Sequence, residues 1–274
     1  MTRSQTIACG MACVGAMLVA APATTAVART TITMSGSTSV APLAAGLAKA
    51  YLKNQANRRQ ARFKLLQGGS DIGINDVARG RVTIGNSSRD PQPSDPGGLI
   101  FNKIARDALC VATNRANPIG NLSQAEVQAI FSGRVRNWRD VPGSRVSGPI
   151  DLIVRTPASG TQDAFQSIFM GPDLRVASSA QTKSSNGLQQ QAIRSNENAI
   201  GYVSFNFTKG LHLVPYKGVA CTLRNAKSGQ YGGSRNFWMV TRGKARGEVA
   251  RFIKWIRSAG AARRVISTNW VPLR

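Results

Sequence analysis

Four short stretches of this 274-residue chain have the residue types to hold a small anion: residues 36–39, 68–70, 87–89 and 158–161. Each follows a β-like run and is built from Gly, Ser, Thr or Ala, and three of the four lead clearly into a helix-like run. Where a helix begins, the first backbone N–H groups have no intrahelical acceptor, and the helix dipole favours negative charge. Glycine lets the backbone come close, and hydroxyls add donors. One such turn alone is an ordinary helix cap. Four in one chain, two of them accompanied by arginine, describe a site for a tetrahedral oxyanion. Arg89 follows Ser87 and Ser88, and Arg155 ends a β-like run four residues before Ser159. A guanidinium presents paired donors that suit such an anion, where lysine presents a point charge.

Ser- and Gly-rich turns also serve hydrolases, but here the sequence supplies no base to activate a hydroxyl. The single histidine, His212, sits in the apolar run 211–214 and reads as a partly buried strand residue. No Gly-x-Ser-x-Gly elbow and no Ser-x-x-Lys pair occurs. Cys110, Cys221 and His212 are not spaced as metal ligands, and no nucleotide-binding P-loop is present. The expectation is a binding protein without catalytic residues, metal or cofactor.

The turns need a scaffold, and β-like and helix-like runs alternate as in an α/β fold. Strands are predicted over 31–34, 62–66, 81–85, 108–113, 152–154, 199–205 and 237–241. A helix over 41–53 places Leu43, Leu47, Ala50 and Tyr51 on one face, and a second covers 72–78. A third spans 123–131, with Ser123 and Glu126 as a capping box. Beyond Thr161, Phe165, Ile168 and Phe169 form an apolar stripe. Val249, Phe252, Ile253 and Ile256 repeat the helical spacing near the end. Residues 90–98, rich in Pro, Asp and Gly, form a loop, and no internal repeat is found.

The first residues read as an export signal. Arg3 supplies the positive start, an apolar run covers 7–21, and Ala26-Val27-Ala28 offers a small-x-small cleavage site before Arg29. The run is too short for a transmembrane helix, so a periplasmic or extracellular product is expected. Cys9 and Cys13 leave with the signal. Cys110 and Cys221 remain available to pair in an oxidising compartment, and the sequence leaves open whether they do. Lys and Arg number 36 against 12 Asp and Glu, a net +24 that falls to +23 once Arg3 is removed. Such a surface attracts anions and anionic polymers. The cations are scattered without a dense run, and aromatics make up only 6%, which argues against a dedicated nucleic-acid surface.

In order and spacing these pieces resemble the phosphate-binding subunit of bacterial phosphate ABC transporters, the PstS-like branch of the periplasmic binding proteins. Gly36-Ser37-Thr38-Ser39-Val40-Ala41-Pro42-Leu43 is similar to that family's first phosphate loop. Gly68-Gly69-Ser70 with Gly73-Ile74 resembles the second, and Ile84-Gly85-Asn86-Ser87-Ser88-Arg89 the third. Arg155-Thr156-Pro157-Ala158-Ser159-Gly160-Thr161 matches the Arg-x-x-x-Ser-Gly-Thr loop. Ile130-Phe131-Ser132-Gly133, Asn137-Trp138 and Trp270-Val271-Pro272-Leu273 extend the likeness over most of the chain.

The resemblance implies an α/β, two-lobed type II periplasmic-binding-protein fold with the ligand cleft between lobes. Residues 1–28 would be the signal peptide, 29–113 plus 230–274 one lobe, and 114–229 the other. It implies a monomer that captures inorganic phosphate for the permease and ATPase subunits of an ABC transporter. A secreted binder of phosphate or another oxyanion, uncoupled from transport, suits the same residues. Thr38 and Ser39 would donate N–H groups and a hydroxyl, Ser70 its hydroxyl, and Ser88 and Arg89 contacts from the third loop. Arg155 would clamp the anion while Ser159, Gly160 and Thr161 cradle it. Two departures stand out. Ser88 replaces a carboxylate that in some members accepts the proton of hydrogen phosphate, and Pro157 replaces an acid that can pair with the arginine. Discrimination against sulfate therefore stays open. Asp71 and Asp90 lie beside the loops and read first as solvated acids or caps. Arg155 is expected to be more purely cationic.

Overall fold

Strand β1 (Thr30–Gly36) opens with the β-branched run Thr30-Thr31-Ile32-Thr33 and ends fully buried in the first Gly-Ser turn. Helix α1 (Ala41–Tyr51) leaves that turn with Pro42 in its first turn, where the missing N–H breaks no helical bond. α2 (Gln55–Gln60), capped by Asn54, leads into β2 (Ala61–Leu65). α3 (Ser70–Ala78), β3 (Ile84–Ser87) and the long β4 (Leu99–Thr113) follow. Next come α4 (Gln124–Phe131), β5 (Asp151–Arg155) and α5 (Gly160–Phe165), which widens into a π-helical turn over Gln166–Met170. β6 (Gln181–Lys183), α6 (Asn186–Arg194), β7 (Ala199–Ser204), β8 (His212–Leu213) and α7 (Leu223–Ser228) continue the alternation. β9 (Ser234–Arg242), α8 (Gly247–Ser258) and α9 (Gly260–Asn269) complete it. This computed structural model describes residues 28–273 together with Met1 and Thr2. The predicted signal, with Cys9 and Cys13, lies almost wholly outside the described residues.

The strands order as β2-β1-β3-β9-β4-β7-β5-β6, with β8 paired to β4. β1 pairs in parallel with β2 and β3, and β5 in parallel with β6 and β7. β4 is the antiparallel seam between these two groups. Its first part pairs with β9, and its last, from Leu109 to Thr113, pairs with β7. Apolar side chains collect on either side of the seam. One core holds Ile32, Leu43, Leu47, Phe237 and Phe252; the other holds Leu109, Phe131, Trp138, Phe165 and Tyr202. The chain passes from the first to the second along β4 and returns where Tyr231 leads into β9. Cys110 on β4 and Cys221, both buried in the second core, are joined by a disulfide with Cα atoms 5.8 Å apart. Among the described residues no helix is long and apolar enough to cross a membrane.

Several elements differ from their sequence expectation, each for a physical reason. β4 begins at Leu99, although Asn102, Lys103, Arg106 and Asp107 suppress any strand signal before Ala108. Pairing with β9 overrides that propensity. β3 starts at Ile84, not Arg81, because Gly80 at φ +70° ends α3 and the Arg81 N–H still bonds Asp76 O. The Phe165–Phe169 stripe is divided between α5 and the π turn. The Ser123–Glu126 capping box forms, and α8 buries Phe252, Ile253 and Ile256 as its spacing predicts. His212 is half-buried on β8 with Nε2 2.7 Å from Ile119 O.

Candidate functional site

Three of the four Gly/Ser/Thr turns stand at helix N-termini. Thr38 and Ser39 precede α1, Ser70 is the first residue of α3, and Ser159 caps α5 with its hydroxyl accepting the Thr161 N–H at 3.2 Å. The turn at 87–89 instead continues into the 90–98 loop. The α3 and α5 ends meet across the two halves of the molecule. The Asp71 N–H donates to Ala158 O at 3.3 Å. A Cβ on Gly69 would stand 2.4 Å from Ala158 O, and one on Gly160 2.3 Å from Ser70 Oγ. Gly69 also holds φ +122°, so glycine is required there on both counts.

The hydroxyls of Thr38 and Ser39 lie where donors from several elements converge. Thr38 Oγ1 accepts from Arg155 Nη2 at 3.2 Å and Asn186 Nδ2 at 3.1 Å. Ser39 Oγ accepts from Asn186 Nδ2 at 2.7 Å and Arg235 Nη2 at 2.9 Å, and lies 2.9 Å from Thr161 Oγ1. Beside them runs a chain of hydroxyls: Ser37 Oγ donates to Ser88 Oγ at 2.9 Å, and the Ser88 N–H donates to Ser70 Oγ at 3.0 Å. Thr38, Ser39, Ser70, Ser88, Arg155, Ser159, Gly160 and Thr161 are all buried. Nη1 of Arg155 and Nη1 of Arg235 are buried without a hydrogen-bond partner among the described residues. A small anion among these groups would meet mostly donors, with one carboxylate at the edge: Asp107, whose Oδ2 accepts from Arg235 and whose Oδ1 is buried without a partner among the described residues.

Asn186 and Arg235 belong to this cluster and were not singled out in the sequence. Asn186 is the first residue of α6 and fully buried, with its Oδ1 accepting the Ser204 N–H at 3.2 Å. Arg235 faces Asp107 across the β9–β4 ladder, and its Nε and Nη2 donate to Asp107 Oδ2 at 3.0 and 2.9 Å. A polar Ser-Ser-Asn-Gly stretch carries no periodicity, and Arg235 is one cation among 36. Only strand register distinguishes it.

The electrostatics of the cluster favour an anion. Arg155 is 2% exposed and has no carboxylate partner among the described residues; burial, with repulsion from Arg235, pushes its guanidinium down to about 10. It stays charged at neutral pH. Burial lowers Arg235 and raises Asp107, and their mutual pairing opposes both shifts. Of the two buried guanidinium groups, Arg235 is paired with Asp107 and Arg155 has no counter-ion among the described residues, so the cluster carries an excess of positive charge. Asp71 and Asp90, the acids flanking the loops, face elsewhere: Asp71 pairs with Arg89, and Asp90 Oδ1 accepts from Asn236 Nδ2 and Trp238 Nε1. Among the described residues no cluster of His, Cys, Asp or Glu is placed to hold a metal.

Arg89 stands apart from the donor cluster. Its guanidinium bonds Asp71 at 2.9 Å, Asp95 at 2.6 Å and, across the junction, Asp163 at 3.2 Å. One positive charge is shared by three carboxylates, and Asp95 takes the closest contact. Asp163 consequently loses more through burial and the neighbouring Asp71 and Asp95 than Arg89 returns, and its carboxyl is pushed up to about 6. A raised carboxyl binds its proton in the folded form between about pH 4 and 6, where the unfolded chain does not. Ionised Asp163 is therefore a destabilising charge above pH 6, relieved as pH falls through 6. Carboxyl NMR should show Asp163 titrating near pH 6, with the signal absent from Asp163→Asn; a midpoint near 4 would contradict the burial argument.

Comparison with known proteins agrees with this architecture. The chain is 24% identical over 248 residues to a phosphate-binding protein PstS of Bacillus subtilis, covering 88% of this chain and 80% of that protein. It is 25% identical over 181 residues to the PstS protein of Staphylococcus epidermidis, covering 63% of this chain and 54% of the relative. In three dimensions it superposes with a TM-score of 0.83 on a candidate phosphate ABC transporter substrate-binding protein of Clostridium perfringens, solved with bound phosphate. That pair is 28% identical and covers 89% of this chain and 100% of the other. The family model for the PBP superfamily domain matches residues 21–259, from ahead of β1 to beyond α8. The seam strand and the two groups of parallel strands are thus the frame of a known solute-binding architecture, and the chain belongs to the PBP superfamily.

Proposed function

We propose that this chain is an exported solute-binding protein that takes up inorganic phosphate and delivers it to the permease and ATPase of an ABC transporter. The observation that carries this reading is the convergence of Arg155, Asn186, Thr161 and Arg235 on the Thr38 and Ser39 hydroxyls. Donors on two sides of a closing junction suit a tetrahedral oxyanion. Residues 29–113 with 230–274 form one lobe in this reading and 114–229 the other, hinged near 113 and 230. Ser70 and Ser88 contribute hydroxyls, while Ser159 and Gly160 present the α5 N-terminus. Arg89 acts at the junction through Asp163 and contributes to the third loop by position. The ligand leaves unchanged.

Calorimetric titration of the purified protein with phosphate, then with sulfate, tests the proposal. Phosphate should bind one to one. Sulfate should compete within about tenfold, because the acceptors that touch Thr38 and Ser39 are neutral hydroxyls, each worth about 0.5–1.5 kcal/mol as a hydrogen-bond partner, and Asp107 is engaged by Arg235. Absence of phosphate binding would refute the assignment. Rejection of sulfate by more than a thousandfold would mean that a carboxylate, Asp107 first, receives the ligand's proton.

A further inference from the structure

The distribution of charge over the fold is far less even than along the chain. Between Arg29 and Ser70 there are seven Lys or Arg and no acid; between Arg242 and Arg264 there are eight and a single acid, Glu248. Residues 114–229, by contrast, spread the same net charge, thirteen cations against six acids, over a much longer stretch. The two acid-poor segments fold together into one face. Gly46 of α1 lies against Val265 of α9, Tyr51 of α1 stacks edge-on to Phe252 and Trp255 of α8, and Phe252 meets Phe63 of β2. Glu248 is buried in that contact, accepting from Tyr51 Oη at 2.6 Å and Arg251 Nε at 2.7 Å. Outward, Lys53, Arg58, Lys64, Lys254, Arg257 and Arg264 are all exposed. None of these six has an acidic partner among the described residues. Lys53 follows the far end of α1, whose first turn adjoins the donor cluster, so the helix length of roughly 16 Å separates face from pocket.

We propose that this α1–α2–β2–α8–α9 face docks a flexible phosphodiester polymer of the polyol-phosphate type. The sign and density of the charge call for a polyanion, whose condensed counterions are released on binding. The face lacks what the competing partners need. α1, α2, β2, α8 and α9 expose no large apolar side chain, and Ile100 beside Lys254 and Arg257 and Leu66 after β2 are single exposed residues, too few to anchor in a bilayer. Tyr51, Phe63, Phe252 and Trp255 are buried or half-buried against one another, leaving no platform for stacked bases. With the exposed Arg59, Arg62 and Arg263 added, arginine outnumbers lysine on the face and offers forked donors to phosphate oxygens at variable spacing. The proposal does not depend on which ion occupies the pocket.

Fluorescence anisotropy of labelled poly(glycerol phosphate) with the purified protein tests it. Binding should weaken at least about tenfold between 50 and 200 mM salt. The fourfold variant Lys53→Glu, Arg58→Glu, Lys254→Glu, Arg257→Glu should lose at least tenfold in affinity. The charge-matched variant Arg136→Glu, Arg139→Glu, Lys209→Glu, Arg224→Glu should stay within threefold. Both should keep the parent's unfolding temperature and its calorimetric response to inorganic phosphate, which separates this face from the pocket. Equal losses in the two variants would reduce the effect to diffuse charge and overturn the proposal. Tighter binding to phosphatidylglycerol vesicles, or to oligothymidylate of equal charge, would overturn it in favour of a membrane or nucleic-acid surface.

Discussion

Arg155→Ala is expected to weaken phosphate binding by between about thirtyfold and several thousandfold, with little change in folding stability. The first half of that expectation follows from position. Arg155 ends β5, donates through Nη2 to Thr38 Oγ1 across the junction, and has a second nitrogen, Nη1, buried and unpartnered. Removing one partner of a buried, charge-assisted contact costs about 2–5 kcal/mol, and Arg155 has no carboxylate that would reduce its contribution to an anion. The second half follows from the same isolation. A buried guanidinium without a counter-ion is a desolvated charge, and relief of that cost offsets the loss of its bonds to Lys183 O at 3.0 Å and Ser184 O at 2.8 Å, so the folded protein should stay about as stable as before. Calorimetry with phosphate, together with thermal unfolding of the unliganded protein, reads both. A loss below tenfold would place the anion elsewhere. A large fall in unfolding temperature would make Arg155 a scaffold residue. Arg155→Lys should recover part of the affinity only, since a single ammonium replaces a planar fork.

Reduction of the disulfide carries the second large effect. Cys110 and Cys221 are 111 residues apart, and the bond closes almost the whole second core, from β4 to the approach of α7. A cross-link of that span limits the unfolded chain by about 4–5 kcal/mol on the loop-entropy account, and loss of native bridges typically costs about 2–5 kcal/mol. Cys110→Ser with Cys221→Ser should lower stability by an amount in that range, read as a shift of the denaturant midpoint. Reductant should do the same to the parent and nothing to the double variant. Phosphate affinity should change little, because neither sulfur touches the donor cluster. A midpoint unmoved by reductant would show that packing around Leu109, Tyr202 and Tyr231 holds this core without the bond.

The parts of the fold that were legible in sequence are those governed by local rules. The stripe of α8, the capping box of α4 and the Gly-Ser turns before α1, α3 and α5 are each decided within a few residues, by periodicity, a cap or a needed φ. β4 was half visible: its apolar end over 108–113 reads as strand, while its polar beginning is strand only because β9 lies beside it. The site divides in the same way. Ser39, Ser70, Arg155 and Thr161 sit in motifs that announce themselves. Asn186 and Arg235 are brought to the cluster by α6 and by the β9–β4 register, which link residues 147 and 196 positions from Ser39. Arg89 shows the converse. Its neighbours Ser87 and Ser88 mark it as a ligand contact, yet Asp95 and the sequence-distant Asp71 and Asp163 engage its guanidinium.

The place of β9 in the sheet has a consequence for the order in which the molecule can be completed. It lies between β3 and the first part of β4, yet it follows every other described strand in the sequence. Until residues 234–242 emerge, β3 and the beginning of β4 have no common neighbour and expose unpaired edges, and the core around Ile32 and Leu43 lacks Phe237 and Met239. The core around Phe131 and Tyr202 is nearly assembled by then, and its two cysteines are already present. During synthesis or export the half that closes first is therefore the one encoded in the middle. The half that begins the chain waits, with open strand edges prone to wrong pairing, for the strand that nearly ends it.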